Sequence, residues 1–348
     1  MSTTTEIVVS GIRATGKLHL GNYLGVLQRF ASMSQNPQYE CFFFVADLHT
    51  LTTLQDGRLI QEHLPNIVLD YLAAGIDPHR AHLYVQSDVS AVTELAWYLS
   101  CLTTVNDLQG LPTYKDKAGR VESPNAGLLS YPVLMAADII GPRAQFVPVG
   151  RDQKPHLELT QKIARALNRY CDDFFPIPDA LVEEMVLVPG LSSMSERGDF
   201  PKMGKSDENT INLSDTPEDT WQKIRVSPTD PARQFRSDPG TPEHCAIYAL
   251  HSQVSEAERI QAVHEGCRSA GIGCIDCKGW LAESVNNTLA EFRERRSMLA
   301  QSPSTVKDVL AAGRAAVTPR FEETLALVRE RLGIGERRLE HICHVSGL

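Results

Sequence analysis

The chain has 348 residues and a formal net charge of −9, and this acidic balance argues against a general nucleic-acid binder with a broadly basic surface. Hydrophobic residues make up 42% and charged residues 22%, which is typical of a globular protein with about two domains. No apolar run approaches the ~20 residues of a membrane span, and no secretory signal opens the chain, so we expect a cytoplasmic protein.

Strand and helix patterns alternate over the first half of the chain. Short β-branched or aromatic runs predict strands, and apolar residues at helical spacing predict helices between them. The strands are expected at 6–9, 41–46, 82–86 and 146–149, and the helices at 57–74, 92–102, 127–140 and 154–169. This alternation predicts an α/β fold with a doubly wound, mostly parallel sheet.

The second half of the chain has a different character. A polar stretch rich in serine and glycine, residues 190–208, predicts a mobile loop, and only helical patterns follow residue 214. We therefore predict an α/β domain over residues 1–208 and a helical domain over 209–295. C-terminal helices over 296–348 are expected to pack back on the first domain.

A glycine-containing stretch, residues 10–22, connects the first predicted strand to the first helix. Glycines there let the backbone approach a ligand, and the N-terminus of the helix offers free N–H groups to phosphate. His19 can donate to phosphate oxygens through either ring nitrogen. The spacing fits neither the Rossmann nor the P-loop pattern, but T-G-K-L-H-L-G-N at residues 15–22 resembles the "HIGH" signature of class I aminoacyl-tRNA synthetases. The alternative is a glycine-rich turn with an incidental histidine.

A second short motif, K-M-G-K-S, occupies residues 202–206 of the polar loop. Two lysines three positions apart can reach one polyphosphate as point charges and move with it. The motif resembles the "KMSKS" signature of the same family, with Gly204 where serine is usual. The alternative is an exposed lysine loop of the kind that many proteins carry.

Together the two signatures imply adenylate formation. In the family, the residues matching His19 and Asn22 hold the phosphates, and the two lysines stabilise charge as pyrophosphate leaves, with help from Mg²⁺. The catalytic residues expected from the resemblance are Thr15, His19, Asn22, Lys202, Lys205 and Ser206.

An apolar helix over residues 127–140 carries the candidate specificity element. Tyr131, Met135 and Asp138 lie at i, i+4 and i+7, so they share one face. A buried carboxylate needs donors, and an indole offers one N–H. M-A-A-D-I at residues 135–139 resembles the pattern of tryptophanyl-tRNA synthetases, in which the aspartate accepts the indole N–H. The alternative is a structural aspartate bonded to a lysine or a backbone group.

The resemblance places further residues around both substrates. V-G-R-D-Q at residues 149–153 resembles the family's G-E-D-Q loop, with Arg151 in place of glutamate. Arg13 and Ala14 stand where glutamine and proline are usual. The expected ATP-binding residues are Arg13, Ala14, Thr15, Gly21, Asn22, Gly150, Arg151, Asp152, Ser193, Met194, Lys202, Met203, Gly204, Lys205 and Ser206. The expected tryptophan-binding residues are Val9, His49, Tyr131, Met135, Asp138 and Gln153.

Four of the eight cysteines, Cys245, Cys267, Cys274 and Cys277, fall close together near the end of the helical domain. Four thiolates suit zinc or a [4Fe–4S] cluster. The pattern resembles C-x22-C-x6-C-x2-C of a subset of bacterial tryptophanyl-tRNA synthetases with a [4Fe–4S] cluster, although the first gap is one residue shorter here. That resemblance favours iron–sulfur over zinc, and the alternative is four buried thiols without a metal.

The combined motifs imply a ligase that activates L-tryptophan with ATP and then esterifies the 3′ end of tRNA(Trp). Family members are homodimers, so a homodimer is expected, with no membrane partner. One alternative is a paralogue that binds tryptophan or its adenylate but charges tRNA poorly and acts as a regulator. Others are a tyrosyl-tRNA synthetase and a small-molecule adenylyltransferase that shares only the first motif.

Overall fold

The computed structural model describes residues 5–119, 122–150, 153–181, 187–195, 198–204 and 209–334. Five parallel strands form one sheet in the order β3-β2-β1-β4-β5. The strands are β1 (Glu6–Arg13), β2 (Tyr39–Ala46), β3 (Ala81–Val85), β4 (Phe146–Val147) and β5 (Asp179–Ala180). The predicted doubly wound α/β fold is therefore confirmed, with the strand order reversing beside β1.

Twelve helices are named here in chain order. The first, α1, is one continuous helical segment with a π-helical middle: Leu20–Asn22, Tyr23–Leu27 and Gln28–Gln35. The others are α2 (Gly57–Ala73), α3 (Ala91–Cys101), α4 (Val105–Gly110), α5 (Pro112–Ala118), α6 (Ala126–Ile140), α7 (Lys154–Asn168), α8 (Pro217–Val226), α9 (Ala246–Val254), α10 (Ala257–Arg268), α11 (Cys274–Ala300) and α12 (Pro303–Leu332). Short helical turns lie at Asp47–Thr50, Gln86–Asp88 and Pro242–His244.

Both faces of the sheet are covered. On one face Phe43 stacks on Phe30 of α1 with ring centroids 4.1 Å apart, and on the other Phe42 and Phe44 pack toward α6. Since β2 is buried on both faces, its apolar run is continuous and does not alternate, as expected for a central parallel strand. Two cores therefore hold the sheet rigid and fix the ends of its strands.

The C-terminal helix α12 covers the outer edge of the sheet. It packs along β3, and a Cβ at Gly313 would lie only 1.9 Å from the carbonyl oxygen of Leu83, so this contact requires glycine. Long helix α11 runs unbroken through the predicted boundary at residue 295. The three-part division of the chain otherwise stays a prediction. Within the described ranges, no helix is both long and apolar enough to cross a membrane.

Candidate active site

A cavity of about 680 Å³ opens at the carboxyl ends of β1, β2 and β4. It is lined by all six residues expected to bind tryptophan, together with Arg13 and Gly150 from the expected ATP site. Gly11 lies under the ring of Phe44, which a Cβ at this position would approach to 2.6 Å. The sheet topology thus gathers residues from four separate stretches of chain into one pocket.

A larger apolar cavity of about 1020 Å³ lies between α2, α11 and α12, away from both signature motifs.

Asp138 is the buried carboxylate of this cavity, with 1% of its surface exposed. Its partner is the side chain of Gln86, whose Nε2 donates to Asp138 Oδ2 at 2.7 Å and to Oδ1 at 3.0 Å. Burial raises the pKa of Asp138 well above its usual range, and the Gln86 amide partly opposes this. A carboxylate has about four acceptor sites, so Gln86 leaves capacity for a further donor. The observed partner is a glutamine side chain and not the lysine or backbone group that the structural alternative named.

His49 completes the polar group around Gln86. Its Nδ1 lies 2.8 Å from Gln86 Nε2 and 3.2 Å from Gln86 Oε1. Burial lowers the pKa of His49 to about 4, so the ring is neutral near pH 7, and the hydrogen bond with Gln86 opposes that shift only in part. A neutral Nδ1 can accept from the Gln86 amide, which fixes the direction in which that amide faces Asp138.

Tyr131 is held by two residues that the sequence did not reveal. Its hydroxyl lies 2.8 Å from His156 Nε2 and donates to Thr113 Oγ1 at 3.1 Å. His156 is fully buried within α7, and burial raises the pKa of Tyr131. A lone histidine on an apolar helix face gives no sequence signal of this contact. Gln86, in contrast, is the last residue of a predicted strand. Like His49, it could have been predicted as a site residue from its position at the carboxyl end of a parallel strand.

Arg13 brings a cation to the cavity wall. A terminal nitrogen of its guanidinium donates to Thr53 Oγ1, and its buried Nε has no hydrogen-bond partner among the described residues. Burial lowers the pKa of Arg13, which nevertheless stays charged at any ordinary pH. The neighbouring Ala14 is fully buried and its N–H donates to Thr50 Oγ1 at 2.9 Å. A charged group therefore lies where the pocket meets the glycine-containing turn.

The histidine turn, residues 15–22, closes into the start of α1. Asn22 Oδ1 accepts from the backbone N–H of His19 at 3.1 Å, which orders the first helical turn. Gly21 lies beside the His19 ring, and a Cβ there would sit 3.1 Å from Nδ1. His19 is therefore packed closely and held at the helix N-terminus, where phosphate oxygens are favoured.

The lysine loop, residues 202–206, is described as far as Gly204. Lys202 is exposed and pairs with Pro189 in an isolated antiparallel bridge, while Met203 is buried and donates through its N–H to Val188 O at 2.9 Å. Ser193 is exposed and Met194 half-buried on the neighbouring loop. Four expected residues, Arg151, Asp152, Lys205 and Ser206, lie outside the described residues.

The four clustered cysteines come from three helices. Cys245 precedes α9, Cys267 lies in α10, and Cys274 and Cys277 lie in the first turn of α11. Burial, reinforced by the other three thiols, raises the pKa of Cys277 to about 12, so the four sulfurs interact electrostatically. In the part of the chain that the structure describes, no three His, Cys, Asp or Glu side chains converge as ligands of one metal ion.

Comparisons with known proteins identify the family of this chain. The family model described as tRNA synthetases class I (W and Y) matches residues 1–290. Curated tryptophan–tRNA ligases from Deinococcus radiodurans and Thermotoga maritima are 38% and 39% identical, and each alignment covers 94% of this chain. The alignments cover 98% and 99% of those two ligases.

Solved structures show the same relationship. Tryptophanyl-tRNA synthetase from Campylobacter jejuni, complexed with ADP and tryptophan, has a TM-score of 0.83 and 31% identity, covering 94% of this chain and 100% of its own. Tyrosyl-tRNA synthetase from Archaeoglobus fulgidus has a TM-score of 0.63 at 21% identity, covering 84% of this chain and 90% of its own. The second likeness concerns the fold alone.

Proposed function

The chain belongs to the tRNA synthetases class I (W and Y) and is a tryptophan–tRNA ligase. We propose that tryptophan and ATP react in the 680 Å³ cavity. The observation that carries this proposal is the buried Asp138 carboxylate, which faces a pocket that also contains Arg13 from the phosphate-binding turn. The identity of its relatives favours tryptophan over tyrosine as the amino acid.

In the pocket, Asp138 accepts the indole N–H, and Val9 and Met135 contact the ring. Tyr131 and Gln153 bind the amino group of tryptophan. Arg13 draws the substrate carboxylate to the mouth of the pocket, next to the histidine turn. This assignment is supported by the presence of all these side chains on one cavity wall. His49 acts through Gln86, since its Nδ1 contacts the amide that holds Asp138.

In the first step, a carboxylate oxygen of tryptophan attacks the α-phosphorus of ATP, and the bond from that phosphorus to the bridging oxygen of pyrophosphate breaks. His19, Asn22, Lys202 and Lys205 hold the leaving phosphates, and Mg²⁺ supplies further positive charge. The remaining members of the nucleotide site are Ala14, Thr15, Gly21, Gly150, Arg151, Asp152, Ser193, Met194, Met203, Gly204 and Ser206. The chain therefore acts mainly by positioning and electrostatics.

In the second step, a hydroxyl at the 3′ end of tRNA(Trp) attacks the tryptophanyl carbonyl and AMP leaves. We propose that this occurs in the cytoplasm and in a homodimer. The exposed side chains of Trp97 and Val105, 68% and 58% accessible on neighbouring helices, support a further protein contact there.

Amino-acid-dependent exchange of pyrophosphate into ATP tests the first step. We expect exchange with tryptophan and little with tyrosine, and Asp138→Ala should lower kcat/KM for tryptophan by about 100-fold because the indole donor loses its partner. Asp308→Ala removes an exposed carboxylate on α12 and is the matched control. Unchanged tryptophan exchange in Asp138→Ala would refute the assignment. Exchange without tRNA charging would support the regulatory paralogue.

We further propose that Cys245, Cys267, Cys274 and Cys277 hold a [4Fe–4S] cluster, with zinc as the alternative. Zinc needs all its sulfurs about 2.3 Å from one point, whereas a cluster places each thiolate on its own iron. The other three thiols all contribute to the raised pKa of Cys277, and this mutual influence supports one shared site. Burial raises the pKa of the Cys267 thiol, and the Arg233 guanidinium, 3.8 Å from Cys267 Sγ, opposes that shift.

Anaerobic reconstitution tests the cysteine site independently of activity. Iron and inorganic sulfide should bind in equal amounts to the native chain and be lost in Cys274→Ser. Cys101→Ser, at an exposed cysteine on α3, is the control and should retain both. Stoichiometric zinc with no iron would contradict the cluster.

A further inference from the structure

The segment of residues 209–215, which we name the strap, runs between the lysine loop and the histidine turn. Leu20 N donates to Ile211 O at 2.8 Å and Leu213 N donates to Leu18 O at 2.9 Å. His19 and Asn212 form the antiparallel bridge between these two bonds. One part of the strap is thus paired to the backbone on both sides of His19.

The other end of the strap holds the lysine loop through the side chain of Asn209. Its Oδ1 accepts from Gly204 N at 2.9 Å, and its Nδ2 donates to Lys202 O at 3.3 Å. Its backbone carbonyl accepts from Leu191 N at 2.9 Å. Asn209 is 3% exposed, so the loss of these partners would leave buried polar groups unsatisfied.

Space for this side chain is provided by Gly190. A Cβ built at Gly190 would lie 2.1 Å from Asn209 Nδ2 and 2.4 Å from its Cγ. Gly204 has no side chain of its own, and glycine is the least restricted residue of the backbone. The bond from Asn209 therefore restrains the loop at the position where the family's usual serine is absent.

We propose that Asn209 is a positioning residue for adenylate formation, which couples the lysine loop to the histidine turn through the strap. This inference rests on the proposed function, in which Lys202, Lys205 and His19 act on the same phosphates. Asn209 is not among the residues that line the substrate cavity. It fixes the backbone at Lys202 and immediately before Lys205, while Ile211 and Leu213 fix the backbone around His19.

The test compares Asn209→Ala with Asn168→Ala. Asn168 is a matched control because it is also buried and also bonds backbone twice, donating to Phe175 O at 2.8 Å and accepting from Phe175 N at 2.9 Å, far from both motifs. Both variants should lose comparable thermal stability. Only Asn209→Ala should lower the kcat of tryptophan-dependent pyrophosphate exchange, by about 100-fold, because a small misplacement of charged groups has that effect.

Tryptophan affinity, measured by calorimetry, separates positioning from general damage. It should stay within about twofold in Asn209→Ala, since the pocket does not include Asn209. An exchange kcat equal to that of Asn168→Ala would overturn the inference. Asn209→Leu, which fills the space without either hydrogen-bonding atom, serves if the alanine variant does not fold, with the same expected loss. Absence of tryptophan exchange in the unmodified chain would refute the proposed function instead.

Discussion

The cavity around Asp138 and the lysine loop hold their polar side chains in different ways. In the pocket, Asp138, Gln86 and His49 are bonded side chain to side chain, and each is mostly buried. In the loop, Lys202 is exposed, and its backbone is fixed by Pro189 and Asn209. Recognition of one indole N–H needs an acceptor that does not move. Charge stabilisation during the departure of pyrophosphate needs cations that can follow it, so only their point of attachment is fixed.

Removal of the Lys202 charge should have the largest effect on the exchange kcat. It should also show whether the lysine loop acts on kcat alone while the cavity around Asp138 sets KM for tryptophan. Lys202→Ala is expected to lower the exchange kcat by about 100- to 1,000-fold and to leave KM for tryptophan unchanged, because the charge acts on the departing phosphates. Steady-state exchange kinetics measure both constants. Lys162→Ala, at an exposed lysine of α7 outside the cavity, is the control. A rise in KM for tryptophan with normal kcat would contradict the separation.

Within the pocket, the hydrogen bonds that Gln86 donates to Asp138 can be removed without changing Asp138 itself. Gln86→Leu keeps the volume and removes the amide nitrogen that donates to both carboxylate oxygens. We expect KM for tryptophan to rise about 30-fold, because the carboxylate becomes protonated more easily and points less well. The same kinetics should show a nearly unchanged kcat. Unchanged KM would mean that Gln86 does not orient Asp138.

A smaller effect on the exchange kcat is expected from a change next to Asn209, the residue whose side chain bonds the lysine loop. Gly190→Ala places a methyl group against Asn209 and should displace its side chain. Exchange kcat should fall about tenfold, with tryptophan affinity unchanged. Gly57→Ala, at the start of α2 where a Cβ meets nothing within 4 Å, is the control. Equal kcat in the two variants would argue against the proposal that Asn209 positions the lysine loop.

The smallest effect concerns pH. The pKa of His49 lies near 4, below the usual 6.5, so the ring stays neutral as pH falls from 8 to 5 and takes a proton only near pH 4. His49 should therefore contribute no change in KM for tryptophan over that range, and any rise in KM there should come from protonation of Asp138, whose pKa is raised by burial, and should persist in His49→Gln. An inflection near pH 6.5 that disappears in His49→Gln would contradict the neutral ring.

The fold and the face of α6 could be predicted because they follow from periodicity. Alternating strand and helix patterns imply the parallel sheet, and the i, i+4, i+7 spacing brings Tyr131 and Asp138 to one wall. Strand β5 was missed because Asp179–Ala180 is too short and polar to give a pattern.

The partners of the predicted residues were harder to predict. Thr113 and His156 are 43 residues apart, and nothing in either local sequence records their contact. The pairing of Ile211 and Leu213 with the histidine turn uses backbone atoms, which every residue has, so no residue type signals it. Asn209 lies three residues beyond the recognised lysine motif, where the surrounding polar loop conceals it.

Helix α11 is one continuous helix that carries two of the clustered cysteines and also contacts α1, the helix that begins at the histidine turn. Its first turn carries Cys274 and Cys277, and 18 residues later Phe292 meets the Tyr23 ring of α1 edge to face, with centroids 5.3 Å apart. That span is about 27 Å at 1.5 Å per residue. A tilt of one degree at the cysteine end would therefore shift Phe292 by about half an ångström. A change in the direction of α11 at Cys274 and Cys277 would therefore be transmitted to the helix that begins at the histidine turn.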